Sequence, residues 1–406
     1  MLREPDGRVR SLTKDWDRSV SRLMAAYDGR SLLLTADDIG QRALFELNVN
    51  GGTPRQIVGS GQVAGLSPAR RGAVIAWASL AAPADLFLAS AGSREPRRLT
   101  AVNESLLSAR AMSEFEQFRF EGWNGEPVYG YVMKPYGFDP SRKYPIAFVV
   151  HGGPQVSFQN QWSFRWNAQT FAGRGYGVVF IDFHGSPGYG QAFTDSISGD
   201  WGGKPLEDLQ KGLAAALERY PWLDGERACA LGASYGGFMI NWIAGQWPKR
   251  FRCLVSHAGV FDQRSMYYST EELWFPEWEF GGPYFEKPEN YEKFNPVNGV
   301  TRWETPMLVT HGELDFRVPY TQGLAAFTAL QRRGIESRLL FFPDENHWVL
   351  KPLNSLQWHQ VVLEWLDRHT GNASHATGTS AVYEPIAAPR RAANASREAT
   401  ASAMAR

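Results

Sequence analysis

Residues Ala228–Ala244 read ACALGASYGGFMINWIA, which is a short apolar run, a glycine-rich turn and then an apolar helical pattern. Ser234 lies at the centre of the turn, with Gly232 and Gly236 two residues to either side. This G-x-S-x-G spacing is typical of a nucleophile elbow, a strained strand-to-helix turn in which neighbouring side chains would clash. The pattern predicts that the turn lifts the Ser234 hydroxyl off a sheet. The alternative is a glycine-rich loop that carries an ordinary serine.

The helix after the turn also supplies a candidate donor to an oxyanion. The amide of Tyr235 lies at the positive end of this helix and points to where an oxyanion would form. A second donor is expected from the HGGP run at 151–154, which follows another apolar strand-like run. Because glycines let the backbone approach the nucleophile closely, the candidates are the amides of Gly152 and Gly153 and the imidazole of His151.

Composition and charge exclude two classes of partner. The 406 residues are 43% hydrophobic and 21% charged, which is typical of a soluble globular chain of two or more domains. Lys plus Arg and Asp plus Glu both number 42, so no net charge favours nucleic acid or an anionic membrane surface. The sequence does not indicate an oligomeric state.

The cellular location is predicted from the lengths of the apolar runs and from the first residues of the chain. No run approaches the ~18 apolar residues of a membrane span, and the first residues, MLREPDG, lack the apolar core of a signal peptide. The chain as it stands is therefore expected to be cytoplasmic. A periplasmic location is expected instead if a signal was lost together with missing upstream sequence.

The two cysteines, Cys229 and Cys253, both lie in apolar strand-like runs. Such positions favour buried, reduced thiols over a disulfide or a metal site. No metal ion and no cofactor is expected.

The first hundred residues contain a repeat with a period of 42 residues. Short strands separated by glycine-containing turns at this period are typical of four-stranded propeller blades. We therefore predict a partial β-propeller over residues 1–112, with about two blades and part of a third, and two unrelated hairpins are the alternative. Because propellers have at least about four blades, the chain resembles the tail of a longer protein. The matching segments are SLLLT at 31–35 with AVIAW at 73–77, ALFEL at 43–47 with DLFLA at 85–89, and PRQIV at 54–58 with PRRLT at 96–100.

A different pattern follows, over residues 113–370. An Asn124-Gly125 turn between two alternating runs predicts an antiparallel hairpin. Apolar strands then alternate with helical segments, which predicts a doubly wound, mostly parallel sheet, the α/β-hydrolase fold. Residues 371–406 are rich in Ala, Ser, Thr and Arg and nearly free of aromatic residues, so a disordered tail is expected.

An α/β-hydrolase supplies a base and an orienting acid after its serine, in the order Ser, acid, His. Asp315 lies in the run HGELDFRVP, between a strand and a helix, and His347 lies in PDENHW, after the next strand. Both side chains are therefore expected at the sheet edge that carries Ser234. His311 is expected to be a hydrogen-bonded structural residue. The competing acids are Asp182, Asp262, Asp344 and Glu313.

Several motifs in order, over about residues 115–370, resemble the catalytic half of the prolyl oligopeptidase family of serine peptidases. Within it the chain is most similar to the dipeptidyl peptidase V and acylaminoacyl-peptidase branch. One departure is His184, where many members have Arg, so the resemblance implies no arginine contact to substrate from this position. The motifs are HGGP at 151–154, GSPGYG at 185–190, GASYGGFM at 232–239, TEELWF at 270–275, HG at 311–312 with Asp315, and PDENHWV at 343–349.

The resemblance implies a triad of Ser234, Asp315 and His347, an oxyanion hole around Tyr235 and Gly153, and short peptides as substrates. In this mechanism His347 takes the serine proton, Asp315 holds the imidazole tautomer, and water releases an acyl-enzyme without metal or cofactor. Two alternatives stay open, a carboxylesterase of the same fold and an inactive truncated fragment.

A peptidase that removes dipeptides must also hold a free ammonium group, and a desolvated carboxylate does so most strongly. Glu271 and Glu272 are the candidates. Ser269 to Glu272 has the spacing of a capping box, so we predict a helix cap for Glu272 and leave Glu271 as the ammonium candidate.

Substrate contacts from His151 and from aromatic side chains are a further expectation. Trp274 is the aromatic candidate for substrate binding, although ordinary core packing is the alternative for most of the aromatic residues near the motifs. Those residues are Trp162, Phe164, Trp166, Tyr267, Tyr268 and Trp274.

Overall fold

A computed structural model of the chain describes residues 1–90 and 95–372, so the tail predicted for 371–406 lies, from residue 373 onward, outside the described residues. Residues Met1–Asn372 form one compact unit, and the boundary predicted at 112/113 stays a prediction. No helix within the described ranges has the length and hydropathy that a bilayer-spanning segment needs.

The first part of the chain consists of two four-stranded antiparallel meanders. They meet at a single parallel bridge between Arg42 and Gln62. The two meanders follow the 42-residue repeat of the sequence. The second, third and fourth strands of the second meander, β8, β9 and β10, lie about 42 residues after β4, β5 and β6 of the first. A small pair, β1 (Leu2–Arg3) with β2 (Val9–Arg10), precedes them. The strands are β3 (Val20–Ala25), β4 (Ser31–Asp38), β5 (Gln41–Asn48) and β6 (Arg55–Val58), then β7 (Gln62–Ala69), β8 (Gly72–Ser79), β9 (Ala82–Ala89) and β10 (Arg97–Arg98).

The second part is built on an eight-stranded sheet of order β11-β12-β14-β13-β15-β16-β17-β18. The first three strands in this order pair antiparallel, as the Asn-Gly hairpin predicts, and all later pairs are parallel. The carboxyl ends of the parallel strands therefore share one edge. The strands are β11 (Phe115–Glu121), β12 (Pro127–Met133), β13 (Tyr144–Val150), β14 (Gly177–Asp182), β15 (Leu223–Ala233), β16 (Cys253–His257), β17 (Met307–Gly312) and β18 (Ser337–Phe342).

Helices cover both faces of this sheet because its strands are apolar at successive positions. In β13, Ile146 and Phe148 pack into one core with α4, α5 and α9, whereas Ala147 and Val149 pack into the other with α2 and α10. The helices are α1 (Glu104–Leu107), α2 (Ala168–Gly173), α3 (Gln191–Asp195), α4 (Lys204–Arg219), α5 (Tyr235–Gln246), α6 (Gln263–Tyr267), α7 (Trp274–Phe280), α8 (Pro288–Glu292), α9 (Thr321–Arg332) and α10 (Pro352–Thr370), with 3₁₀ turns at Trp123–Gly125 and Pro296–Arg302.

The turn between β4 and β5 docks the first sheet onto the second. Gly40 O accepts hydrogen bonds from Tyr131 Oη at 2.8 Å and from the Asn160 amide at 2.8 Å. Ile39 donates its amide to Gly188 O at 3.0 Å. A Cβ on Gly40, whose φ is +70°, would stand 2.7 Å from Gln117 Nε2, so a glycine suits this contact.

The expectation of reduced thiols is wrong, because Cys229 and Cys253 form a disulfide. The two residues are direct partners in the register of β15 and β16, with their Cα atoms 4.7 Å apart, and both are fully buried. The apolar runs correctly predicted burial, whereas the register between the strands, which brings the sulfurs together, is a tertiary property.

Candidate active site

Ser234 occupies a strained turn between β15 and α5. Its φ and ψ are +60° and −121°, a backbone conformation that non-glycine residues rarely adopt. Hydrogen bonds hold it, since its amide donates to His257 O at 2.9 Å and its carbonyl accepts from the Phe238 amide at 2.9 Å. Ser234 therefore begins the helix and stands at the carboxyl edge of the sheet.

The glycines around Ser234 are required by close backbone contacts. A Cβ on Gly236 would lie 2.3 Å from Val150 O, and one on Gly232 would lie 2.6 Å from the carbonyl carbon of Gly236. Gly152 would place a Cβ 3.3 Å from that of Ser234. Strand β13, its following loop and the start of α5 thus approach one another more closely than side chains allow.

Asp315 and His347 form a buried pair at the same edge. His347 Nδ1 donates to Asp315 Oδ2 at 2.7 Å, and Asp315 Oδ1 accepts from the amides of Arg317 at 3.1 Å and Val318 at 2.9 Å. Burial by itself would raise the pKa of Asp315, but the hydrogen bonds from His311 and His347 outweigh it and hold that pKa well below its ordinary value. The carboxylate is therefore ionised, and in the tautomer of His347 that carries its proton on Nδ1, the Nε2 atom is left as an acceptor.

Two more histidines surround this pair. His311 is hydrogen-bonded, as expected, because its Nε2 donates to Val318 O at 2.7 Å, and the same atom lies 3.4 Å from Asp315 Oδ2. His257 accepts at Nδ1 from Trp358 Nε1 at 2.9 Å and from Thr310 Oγ1 at 2.7 Å. Its ring also hydrogen-bonds the backbone of His347, and its burial lowers the pKa of His257 to about 3.

His257 therefore joins the two halves of the candidate site as a neutral ring. Its carbonyl holds the Ser234 turn, and its imidazole holds the His347 loop. This role of His257 was not predicted, since nothing in the run CLVSHAG distinguishes the residue from a core histidine.

The HGGP loop lies beside Ser234, but the imidazole of His151 is not free to serve as an oxyanion donor. Its Nδ1 donates to Gly152 O at 2.8 Å and its Nε2 accepts from Ser186 Oγ at 3.0 Å. The ring stacks on Phe183 with 4.0 Å between centroids, and burial lowers the pKa of His151. This leaves the backbone amides of the loop as the candidate donors.

A cavity of about 500 Å³ opens over Ser234. Trp274, the aromatic candidate, lines it together with Trp166, whereas Trp162, Phe164, Tyr267 and Tyr268 do not. His151 also lines it, together with Leu80 from the turn that joins β8 and β9. The charged side chains among its lining residues are Arg165, Glu272 and Arg317.

Glu272, and not Glu271, lines the cavity. Glu272 makes no capping box, because α7 begins only at Trp274 and Ser269 Oγ donates to Ser265 O instead. Glu272 lines the cavity and pairs with Arg317 at 2.9 Å, whereas Glu271 is exposed and absent from the lining. The capping motif therefore misassigned Glu272, since a tertiary ion pair replaced the local contact.

The competing acids have structural contacts. Asp182 accepts from Ser157, Phe158 and Tyr189, while Asp262 caps α6 and Asp344 pairs with Lys351. The His184 side chain is fully enclosed and bonds Asp208 and Glu126 at 2.6 and 3.2 Å, outside the cavity lining. Across the described ranges, no group of three or more acidic, histidine or cysteine side chains is placed to hold a metal ion.

The doubly covered sheet with a serine at a strand-to-helix turn defines an α/β-hydrolase. The profile of the prolyl oligopeptidase family matches residues 162–373, about half of the chain. The chain belongs to this family, which is a family of serine-type peptidases. The resemblance inferred from the motifs is confirmed.

Known relatives agree with this membership. Dipeptidyl-peptidase 5 of Schizosaccharomyces pombe is 39% identical over 377 residues, which are 90% of this chain and 53% of the relative. An acylaminoacyl peptidase solved in complex with Z-Gly-Gly-Phe-chloromethyl ketone is 26% identical, with a TM-score of 0.81 over 90% of this chain and 58% of that one. The uncomplexed acylaminoacyl peptidase of Pyrococcus horikoshii has a TM-score of 0.80 at 26% identity, with the same coverage. This chain spans about half the length of the relatives it matches.

The close contact at Gly236 predicts a large effect of one methyl group. Gly236→Ala should lower the free energy of unfolding by about 1–3 kcal/mol, because the added Cβ meets the fixed backbone oxygen of Val150. Gly173→Ala is the matched control, since a Cβ at that helical position meets nothing within 4 Å. Urea unfolding measures both, and equal stabilities of the two variants would contradict the tight crossing.

Proposed function

We propose that this chain is the catalytic part of a serine peptidase that cleaves short peptides through an acyl-enzyme. Ser234 is the nucleophile, His347 the general base and Asp315 the group that orients the imidazole. The observation that carries the proposal is the buried hydrogen bond from His347 to the ionised Asp315, at the sheet edge where Ser234 lines a cavity.

The donors of the proposed oxyanion hole are backbone amides. Tyr235 is the first residue of α5. Its side chain is held in place because the phenol hydroxyl donates to Trp201 O at 2.5 Å. The Gly153 amide is the second proposed donor, on a loop whose Gly152 already stands within close reach of Ser234. Preorganised amides of this kind stabilise a developing oxyanion without reorganising in the reaction.

The two meanders before the hydrolase sheet are proposed to be blades of a β-propeller. Two observations support this proposal, namely the four antiparallel strands of each meander and the repeat of about 42 residues. Through Leu80 they contribute to the wall of the cavity, so they are proposed to restrict which peptides reach Ser234.

The substrates are proposed to be peptides from which a dipeptide or an acylated amino acid is released. The names of the relatives support both, since one is a dipeptidyl peptidase and others are acylaminoacyl peptidases. A dipeptidyl peptidase has to bind a free ammonium group. Glu272 is the acidic side chain in the cavity lining, so we assign the ammonium to Glu272 in place of Glu271.

The triad assignment predicts non-additive losses. Ser234→Ala should abolish hydrolysis of dipeptidyl p-nitroanilides while leaving the fold intact, since a single hydroxyl is removed. Asp315→Asn and His347→Ala should each lower kcat by several orders of magnitude, yet add nothing to Ser234→Ala, because the three groups act as one unit. Steady-state kinetics measures this.

The comparison variant for this prediction is His311→Gln. His311 donates to Val318 O and lies 3.4 Å from Asp315 Oδ2, so its loss should weaken the support of Asp315 and lower kcat less than His347→Ala does. More than a few per cent of activity in Ser234→Ala, or a larger loss from His311→Gln than from His347→Ala, would contradict the assignment. Turnover of esters without peptide amides would favour the carboxylesterase, and no turnover of either would favour an inactive fragment.

The reassigned glutamate predicts a selective loss. Glu272→Gln should lower kcat/KM for peptides with a free amino terminus about tenfold or more, and less for their N-acetylated forms, because only the former have an ammonium group. Glu271→Gln is the matched control, as it changes the adjacent, exposed carboxylate. Equal losses on both kinds of substrate, or a greater selective loss from Glu271→Gln, would remove Glu272 from this role.

A further inference from the structure

Among the described residues that line the cavity over Ser234, one cation has no acidic partner. Of its three charged lining residues, Glu272 and Arg317 form an ion pair with each other. Arg165 has no carboxylate partner within the described residues. Its side chain is exposed to solvent, and the partial burial of its guanidinium lowers the pKa of this group without a compensating acid. A partly desolvated guanidinium attracts an anion, and it binds carboxylates through two parallel hydrogen bonds.

The guanidinium is held in place by aromatic stacking. Arg165 Cζ lies 3.9 Å from the centroid of the Trp348 ring, close enough for a strong cation–π contact. The backbone is fixed as well, because Ser163 Oγ accepts from the amides of Arg165 at 3.2 Å and Trp166 at 3.1 Å. Preorganisation of this kind lowers the entropy lost when a ligand binds.

The position of Arg165 relative to the proposed triad decides which part of a peptide it meets. Trp348 follows His347 in the chain, and the two rings are 4.7 Å apart. In a serine peptidase the histidine gives its proton to the departing amine, so the leaving group lies on the histidine side of the serine. Arg165, stacked on Trp348, lies on that side of the cavity.

We propose that Arg165 is a specificity residue that binds the α-carboxylate of the leaving group, so that the site selects short peptides with a free carboxyl end. This inference rests on the proposed function, because it takes the leaving side from the role of His347. A leaving amino acid carries its carboxylate on the same carbon as the departing nitrogen. A carboxylate there meets the single uncompensated charge of the cavity.

Binding of trialanine and of trialanine amide to the Ser234→Ala variant tests the proposal. The two ligands differ in the terminal carboxylate alone, and titration calorimetry gives their dissociation constants without turnover. The acid should bind at least about tenfold more tightly than the amide, as expected for a charge-assisted hydrogen-bonded pair. Adding Arg165→Gln should bring the ratio of the two constants close to one, and Arg165→Lys should retain part of the preference.

Arg252→Gln is the matched control. Arg252 is an exposed arginine that directly precedes β16 and is therefore at the sheet edge opposite Ser234. The control should leave the preference for the acid unchanged, and thermal melting should show that every variant is folded.

Equal affinity for acid and amide in the Ser234→Ala variant, or binding of neither, overturns the proposal. An equal weakening of both ligands by Arg165→Gln also overturns it, because it would show that Arg165 only supports the Trp348 loop. This readout is separate from catalysis. If the triad variants retain activity, the proposed function is wrong. The dissociation constants still show whether Arg165 binds the terminal carboxylate.

Discussion

The site depends on the close crossing of α5 over the carboxyl ends of β13 and β15. The crossing is tight enough that a Cβ on Gly236 would overlap Val150 O, so the helix can begin there only with glycine. The strain in the Ser234 backbone is held by hydrogen bonds from both sides, one of them to His257. Packing energy elsewhere in the two cores compensates for this local cost.

His257 links this crossing to the candidate base. It is neutral because burial disfavours its charged form, and a neutral ring can accept from Trp358 while it bonds the backbone of His347. The ionised Asp315 then fixes the tautomer of His347 from the other side. The position of the proposed base is thus fixed by buried groups that do not line the cavity.

Much of the fold could be predicted from the sequence because its signals are local. The apolar runs, the Asn-Gly hairpin and the repeat near 42 residues correspond to β11 to β18 and to the two meanders. The rule that parallel strand ends share an edge also predicted that Asp315 and His347 lie at the edge that carries Ser234, and they follow β17 and β18 there. Element ends shifted by a few residues, as β15 shows by starting at Leu223 instead of Ala228.

The features that were not predicted depend on which residues meet across the fold. The disulfide follows from the register of β15 and β16, and the pairing of Glu272 with Arg317 brings together two loops. The stacking of Arg165 on Trp348 likewise joins residues far apart in the chain. Local motifs carry no information on such tertiary contacts. The capping-box spacing from Ser269 to Glu272 therefore predicted the wrong contact for Glu272.

Ser234 is proposed to be an activated nucleophile within the folded chain. Treatment with a fluorophosphonate, followed by peptide mapping in a mass spectrometer, tests it most directly because the reagent labels serines that a neighbouring base activates. One phosphonyl group per chain is expected, located on Ser234 and lost when the protein is unfolded before treatment. Absence of labelling on the folded chain, or labelling of a different serine, would contradict it.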